Sequence, residues 1–357
     1  MTRAGRDSWT EPVKGAAIVM VVLFHVIQYL GDAGVDVMLG RVKALGELFP
    51  LPAFFLVAGL AAAGHPGLPV VEVWRRRALP IAYVYLLWSA LRTVVYLLVP
   101  ALPYGDSDLP PLDWRTIALL PVWPSSSYWF LYALVVFIMV RRLVCRVPPA
   151  VQLAGAAVLS ALFAGGWVRV DNLGWNRIAV LFVFFLVGAL CGQRIKAFVR
   201  GSRPWFLLPL GAALLVLFAG LLLGLRAVPF VPLLAQLLAV TVGILAIAWL
   251  PAGRLRDGLA TVGTQAFRVY LVHLFAVVLV ALALRTFYPD VPRVVDVALQ
   301  FVVTGVVLWL SLRFSTFSGR WRWLYVPPKA LTTPRARRPR PAVTGASERP
   351  TPAARRP

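Results

Sequence analysis

The chain has 357 residues, of which 60% are hydrophobic and only 14% charged, with a mean hydropathy of +0.79. A soluble domain carries roughly 25% charged residues, so this composition excludes a soluble globular protein, and the apolar fraction excludes disorder over most of the length. Two cysteines are too few for a disulfide-stapled scaffold, and the net charge of +22 is dispersed in small clusters rather than gathered on one soluble face, so no nucleic-acid partner is expected. The partner that the composition does require is the lipid bilayer.

Stretches long enough to cross the ~30 Å hydrocarbon layer as helices of about 20 residues lie at 13–31, 44–64, 79–100, 128–147, 150–168, 177–193, 205–224, 229–250, 266–287 and 292–316. The expected fold class is therefore an all-α integral membrane protein, a bundle of about ten transmembrane helices. Lys and Arg accumulate in retained cytoplasmic loops. With both termini inside, 27 of the 36 fall on the inner side and 8 in outer loops, which orients the bundle with its N and C termini cytoplasmic. The organisation expected is a cytoplasmic segment over 1–12, the membrane domain over 13–316 and a basic Pro/Arg-rich tail over 317–357. That tail cannot bury a core and is expected to be disordered from about 329. Arg-rich, Lys-poor usage is consistent with a GC-rich bacterial genome, so a multi-pass protein of the bacterial plasma membrane is expected. Cys145 and Cys191 fall at cytoplasmic helix ends and read as reduced packing residues.

Polar residues inside the apolar segments carry the functional information, because each costs a few kcal/mol unless it faces the bundle interior or a wet cavity. His25 follows Lys14 by 11 residues. Eleven steps of about 100° return a helix to within about 20° of the same face, about 16 Å further along the axis. Glu11, one turn before Lys14, and Gln28, one turn beyond His25, extend the stripe. A histidine here reads as a general base or as a packing residue hydrogen-bonded between helices. On the third segment Tyr85, Ser89, Arg92 and Tyr96 recur at helical spacing, and Arg92 reads equally as half of a structural ion pair with Glu47 or as a substrate contact. Tyr270 and His273 share a face of the ninth segment, as a second wall of a site or as core residues. His65 lies in a short loop and reads as solvated. Arg75, Arg76 and Arg77, at the cytoplasmic mouth of the third segment, suit phosphate groups and also satisfy the positive-inside rule. No phosphate-binding glycine loop, metal-ligand spacing or nucleophile elbow is present. A base without a protein nucleophile points to attack by a hydroxyl of the acceptor itself.

Together these residues resemble the acyltransferase-3 family of integral membrane O-acyltransferases. The first-helix signature reads Glu11, Lys14, then ten residues to His25. Pro52-Ala53-Phe54-Phe55-Leu56-Val57-Ala58-Gly59 is similar to the second-helix motif, and the Arg75–Arg77 cluster leads to Leu79-Pro80. Tyr128-Trp129-Phe130-Leu131-Tyr132-Ala133-Leu134 resembles the start of the fourth helix and Tyr270-Leu271-Val272-His273 the ninth-helix motif. The likeness covers about residues 6–316. It departs at Ala58, where many members carry Ser, which bears on the substrate more than on the reaction.

The resemblance implies transfer of an acyl group, acetyl in the first place, from acyl-CoA (acetyl-CoA) to a hydroxyl-bearing acceptor: a carbohydrate, glycan or glycosylated metabolite. His25 would be the general base, with Lys14 and Glu11 positioning the donor or the first helix. Arg75, Arg76 and Arg77 would meet the donor phosphates. Glu47, Tyr85, Arg92, Trp129, Tyr270 and His273 would contact substrate. No metal is implied. The rival reading is a polytopic transporter or flippase with His25, Arg92 and Glu47 in the translocation path.

Overall fold

The computed structural model describes residues 9–32, 43–63, 67–99, 118–124, 127–287 and 293–332, and all regular structure among them is helical. His65 and the tail beyond 332 lie outside these residues. The elements are α1 (Thr10–Asp32), α2 (Lys43–Leu48), α3 (Pro50–Ala62), α4 (Val70–Leu98), α5 (Trp129–Leu143), α6 (Pro149–Ala164), α7 (Leu173–Gly201), α8 (Leu207–Leu222), α9 (Val231–Ala248), α10 (Arg254–Thr264), α11 (Ala266–Phe287), α12 (Arg293–Ser318) and the single turn α13 (Lys329–Thr332). Among the described residues seven helices are long and apolar enough to cross a membrane, and Gly46–Ala62 and Pro149–Ala164 are shorter apolar helices.

Several boundaries depart from the sequence expectation, each for a local reason. The segment expected at 44–64 is broken at Phe49, because Pro50 and Pro52 lack the N–H groups that would carry a helix through from α2. Helix α4 begins nine residues before the expected 79. It passes through a π turn at Trp74–Ala78, in which the Leu79 N–H reaches back five residues to the Trp74 carbonyl. Helix α7 starts earlier than expected, where the Asn172 side chain accepts from the Trp175 N–H at 2.8 Å, and runs on past 193 as a basic, mostly exposed extension. The stretch between the eighth and ninth segments, read as a loop, contains the amphipathic helix α10. Residues 329–332, expected to be disordered, form α13.

Close packing at two crossings holds the bundle. At the first, a Cβ on Gly59 of α3 would lie 2.1 Å from the Phe185 carbonyl oxygen, and one on Gly188 of α7 would lie 2.0 Å from that of Leu56. At the second, a Cβ on Gly15 of α1 would lie 1.9 Å from the Leu259 oxygen of α10, and one on Gly263 would lie 1.9 Å from the Glu11 oxygen. Only glycine permits such backbone approaches, which is how helices associate when lipid supplies no hydrophobic drive between them. Around the first crossing Phe55, Phe137, Phe184 and Phe185 form a fully buried aromatic core. By contrast, α8 turns its apolar side chains outward, with Leu208 77% and Val216 71% exposed. Surfaces of that kind are covered by lipid in a multi-pass membrane protein.

Candidate active site

His25 sits two turns before the end of α1, where the chain has left the glycine crossing and the helix faces α11. Its ring is half-buried. Nδ1 lies 2.8 Å from the Val21 carbonyl oxygen and 3.4 Å from Nε2 of His273 on α11. The two rings meet edge to face, with centroids 5.1 Å apart. His273 is fully buried, and its Nδ1 lies 2.8 Å from the Tyr270 carbonyl oxygen and 3.1 Å from that of Val269.

His25 opens on a cavity of about 80 Å³ whose polar lining includes Gln28, Glu47, Ser127, Arg177 and Tyr270, with Trp129 and Phe130 as aromatic walls. The Arg177 guanidinium lies over the Trp129 ring at 5.4 Å from its centroid. Two tyrosines clasp the helices that build this wall: the Tyr270 hydroxyl donates to the Ser127 carbonyl at 3.0 Å, and the Tyr128 hydroxyl donates to the Leu271 carbonyl at 2.8 Å. The start of α5 is thereby fixed to α11, and Trp129 is held beside His25.

Of the residues singled out from sequence, His25, Glu47, Trp129 and Tyr270 thus share one cavity, and His273 stands behind His25 rather than in the cavity lining. Arg92 and Tyr85 lie elsewhere. Arg92 is buried, stacks over Tyr96 at 4.8 Å from the ring centroid, and lines a separate cavity of about 190 Å³ with Tyr128 and Leu274. The Tyr85 hydroxyl donates to the Leu120 carbonyl at 3.0 Å, and its ring packs on Tyr132. A translocation path through His25, Glu47 and Arg92 would have to join two cavities that are distinct here. Lys14 pairs with Glu11 at 2.8 Å beside the Gly15–Gly263 crossing, outside the His25 cavity. Among the described residues the second carboxylate oxygen of Glu11, Oε2, is buried without a hydrogen-bond partner.

A third cavity, of about 330 Å³, opens at the basic end of the bundle between α3, α4, α5, α6 and α7. Arg77, Arg141 and Arg142 line it, whereas Arg75 and Arg76 do not, and Arg76 pairs with Glu72. Arg141 donates to the Ala62 carbonyl at 2.6 Å, capping the C-terminal end of α3, and Arg142 donates to the Leu68 carbonyl at 2.5 Å and to Cys145 Sγ at 3.0 Å. The inner wall is apolar, from Ala58 and Ala62 to Leu134 and Ile138. Phe54 and Phe55 of α3 fall between the residues of that helix lining this cavity and those lining the His25 cavity, and Phe130 of α5, a wall of the His25 cavity, packs against them. Their rings touch, with Phe55 and Phe130 centroids 4.4 Å apart and Phe54 and Phe130 5.9 Å.

Sequence reasoning missed Arg177, Ser127, Arg141 and Arg142 as site residues. All three arginines had served only to orient the chain. The Arg142–Cys145 spacing of about one turn was a usable signal, but nothing local distinguished Arg177 from an ordinary outer-loop charge.

The family model Acyl_transf_3, described as an acyltransferase domain, matches residues 8–316. The chain belongs to the acyltransferase-3 family. The match takes in α1 to α11 and nearly all of α12, so every cavity described above lies within the acyltransferase-3 domain. No curated protein and no solved structure matches the chain. Membership makes the protein a membrane acyltransferase. It also gives the shared motifs a physical meaning in this chain: Gly59 of the second-helix motif permits the α3–α7 crossing, and Tyr128 and Tyr270 supply the clasp between α5 and α11.

Proposed function

We propose that this acyltransferase moves an acyl group, acetyl in the first place, from acyl-CoA to a hydroxyl of a carbohydrate, glycan or glycosylated metabolite, in a bacterial plasma membrane. In this reading the ten helical segments all span the bilayer, with both termini cytoplasmic. The observation that carries it is the polar cavity at His25, where an imidazole held on one side by a carbonyl oxygen and a second histidine opens on Glu47, Arg177 and Tyr270.

The chemistry follows from those groups. Glu47 and the Tyr270 oxygen offer acceptor positions to sugar hydroxyls, Arg177 offers donor positions, and Trp129 and Phe130 form the apolar wall. His25 takes the proton of the acceptor hydroxyl as that oxygen attacks the thioester carbonyl carbon. The carbon–sulfur bond then breaks, and His25 returns the proton to the departing sulfur, leaving an ester and a free thiol. The donor fits the basic cavity: Arg77, Arg141 and Arg142 present guanidinium donors to its phosphates, and the alanine-lined wall accommodates a slender pantetheine arm. Arg141 and Arg142 already bind backbone carbonyls, yet each guanidinium carries five N–H donors, so further contacts remain open to both.

The test is mass spectrometry of envelope glycans and small-molecule extracts from a deletion strain complemented with the wild-type chain or with His25→Ala at matched membrane abundance. A hydroxyl ester found only with the wild type supports acyl transfer through His25 and names the acceptor. An ester that survives in His25→Ala removes His25 from the role of base.

A further inference from the structure

We infer that His273 is a positioning residue that, together with the Val21 carbonyl, holds the proton of His25 on Nδ1, so that Nε2 of His25 is the basic nitrogen. The inference rests on the reading of His25 as the base. It begins from carbonyl oxygens, which only accept hydrogen bonds. His273 Nδ1 lies within 2.8 Å and 3.1 Å of two of them, so it carries a proton, and in the neutral ring Nε2 is then an acceptor. His25 Nδ1 faces that acceptor at 3.4 Å and the Val21 oxygen at 2.8 Å. Both neighbours accept, so the hydrogen of His25 belongs on Nδ1 and its lone pair on Nε2.

The order of groups is thus the carbonyls of Tyr270 and Val269, then His273, then His25, then the acceptor hydroxyl. When His25 takes the acceptor proton on Nε2, its Nδ1–H keeps the same two partners, and the imidazolium charge is met by a lone pair of His273 as well as by the Val21 oxygen. Nothing needs to turn for this to happen. His273 is also fully buried at the back of the ring, so it exerts this control without contact with substrate. The sequence reading of His273 as a substrate contact is replaced by a role exerted through His25.

The experiment is nitrogen NMR on the full chain in nanodiscs with ¹⁵N-labelled histidine. With three histidines in the sequence, single substitutions assign every ring. In the wild type His25 is expected as the Nδ1–H tautomer. In His273→Phe a population with the proton on Nε2 appears, and kcat for ester formation falls on the order of 10-fold at unchanged KM. His273→Gln, whose amide oxygen restores an acceptor near the former Nε2, brings back the tautomer and most of kcat. A wild-type His25 protonated on Nε2 overturns the inference, and so does a His273→Phe ring with the wild-type tautomer. Should His273→Phe not fold, His273→Leu takes its place, because the wild-type tautomer alone is also accounted for by the Val21 carbonyl. Full activity of His25→Ala would sink the base reading while leaving the tautomer assignment to stand or fall on the spectra alone.

Discussion

At the level of single residues, the strongest expectation concerns His25. Loss of a positioned base costs 10²- to 10⁴-fold, so His25→Ala should lower ester formation by about that factor in vesicles supplied with acyl donor and extracted acceptor. The three arginines beside Trp74 should divide. Arg77→Ala and Arg142→Ala should each raise the KM for the donor by about 10-fold or more, as expected for loss of a charge-assisted hydrogen bond, whereas Arg75→Ala should leave it within about twofold, because only Arg77 of the cluster faces the basic cavity. Steady-state kinetics with varied donor check both. Tyr270→Phe removes the bond to the Ser127 carbonyl and should cost about 1 kcal/mol of stability, read as a lower melting temperature in detergent. That Tyr270 and His273 share one face of a helix was legible from their spacing, while the meeting of that face with His25 stood only as one of two readings. Arg177 was not legible, since its partner Trp129 lies 48 positions earlier and only the fold brings them together.

At the level of helices, packing at the glycine crossings decides which substitutions are tolerated. On α10 the two glycines differ sharply: a Cβ at Gly263 would meet the Glu11 carbonyl oxygen, and a Cβ at Gly258 meets nothing within 4 Å. Gly263→Ala should therefore force α1 and α10 apart and lower both the folded yield and the melting temperature. Gly258→Ala should raise stability by about 0.5–1 kcal/mol, the usual gain of alanine over glycine within a helix. Thermal denaturation of the two purified variants side by side checks this. Most of the apolar helices were visible from hydropathy alone. What hydropathy could not show is α10, whose apolar stripe is too narrow and charged to register as a span, and the π turn of α4, which leaves a normal apolar pattern while shifting the hydrogen-bond register. The break at Phe49 was written in Pro50 and Pro52, but a window long enough to find a membrane span averages over it.

Across the whole molecule, the orientation drawn from Lys and Arg predicts a cytoplasmic tail. A fluorescent protein fused after Pro357 should glow, and alkaline phosphatase at the same position should be inactive; the reverse pair of results would invert the bundle. Fold class was legible because the bilayer imposes one length and one polarity on every span, whereas the separation of the three cavities described above depends on contacts that no linear pattern encodes. One of those contacts bears directly on the proposed reaction. The basic cavity and the His25 cavity are strung along the same three helices, α3, α5 and α7, and the touching rings of Phe54, Phe55 and Phe130 stand at the step from one to the other. In the proposed reaction these rings are therefore the partition that the donor's thioester must pass to meet the hydroxyl at His25.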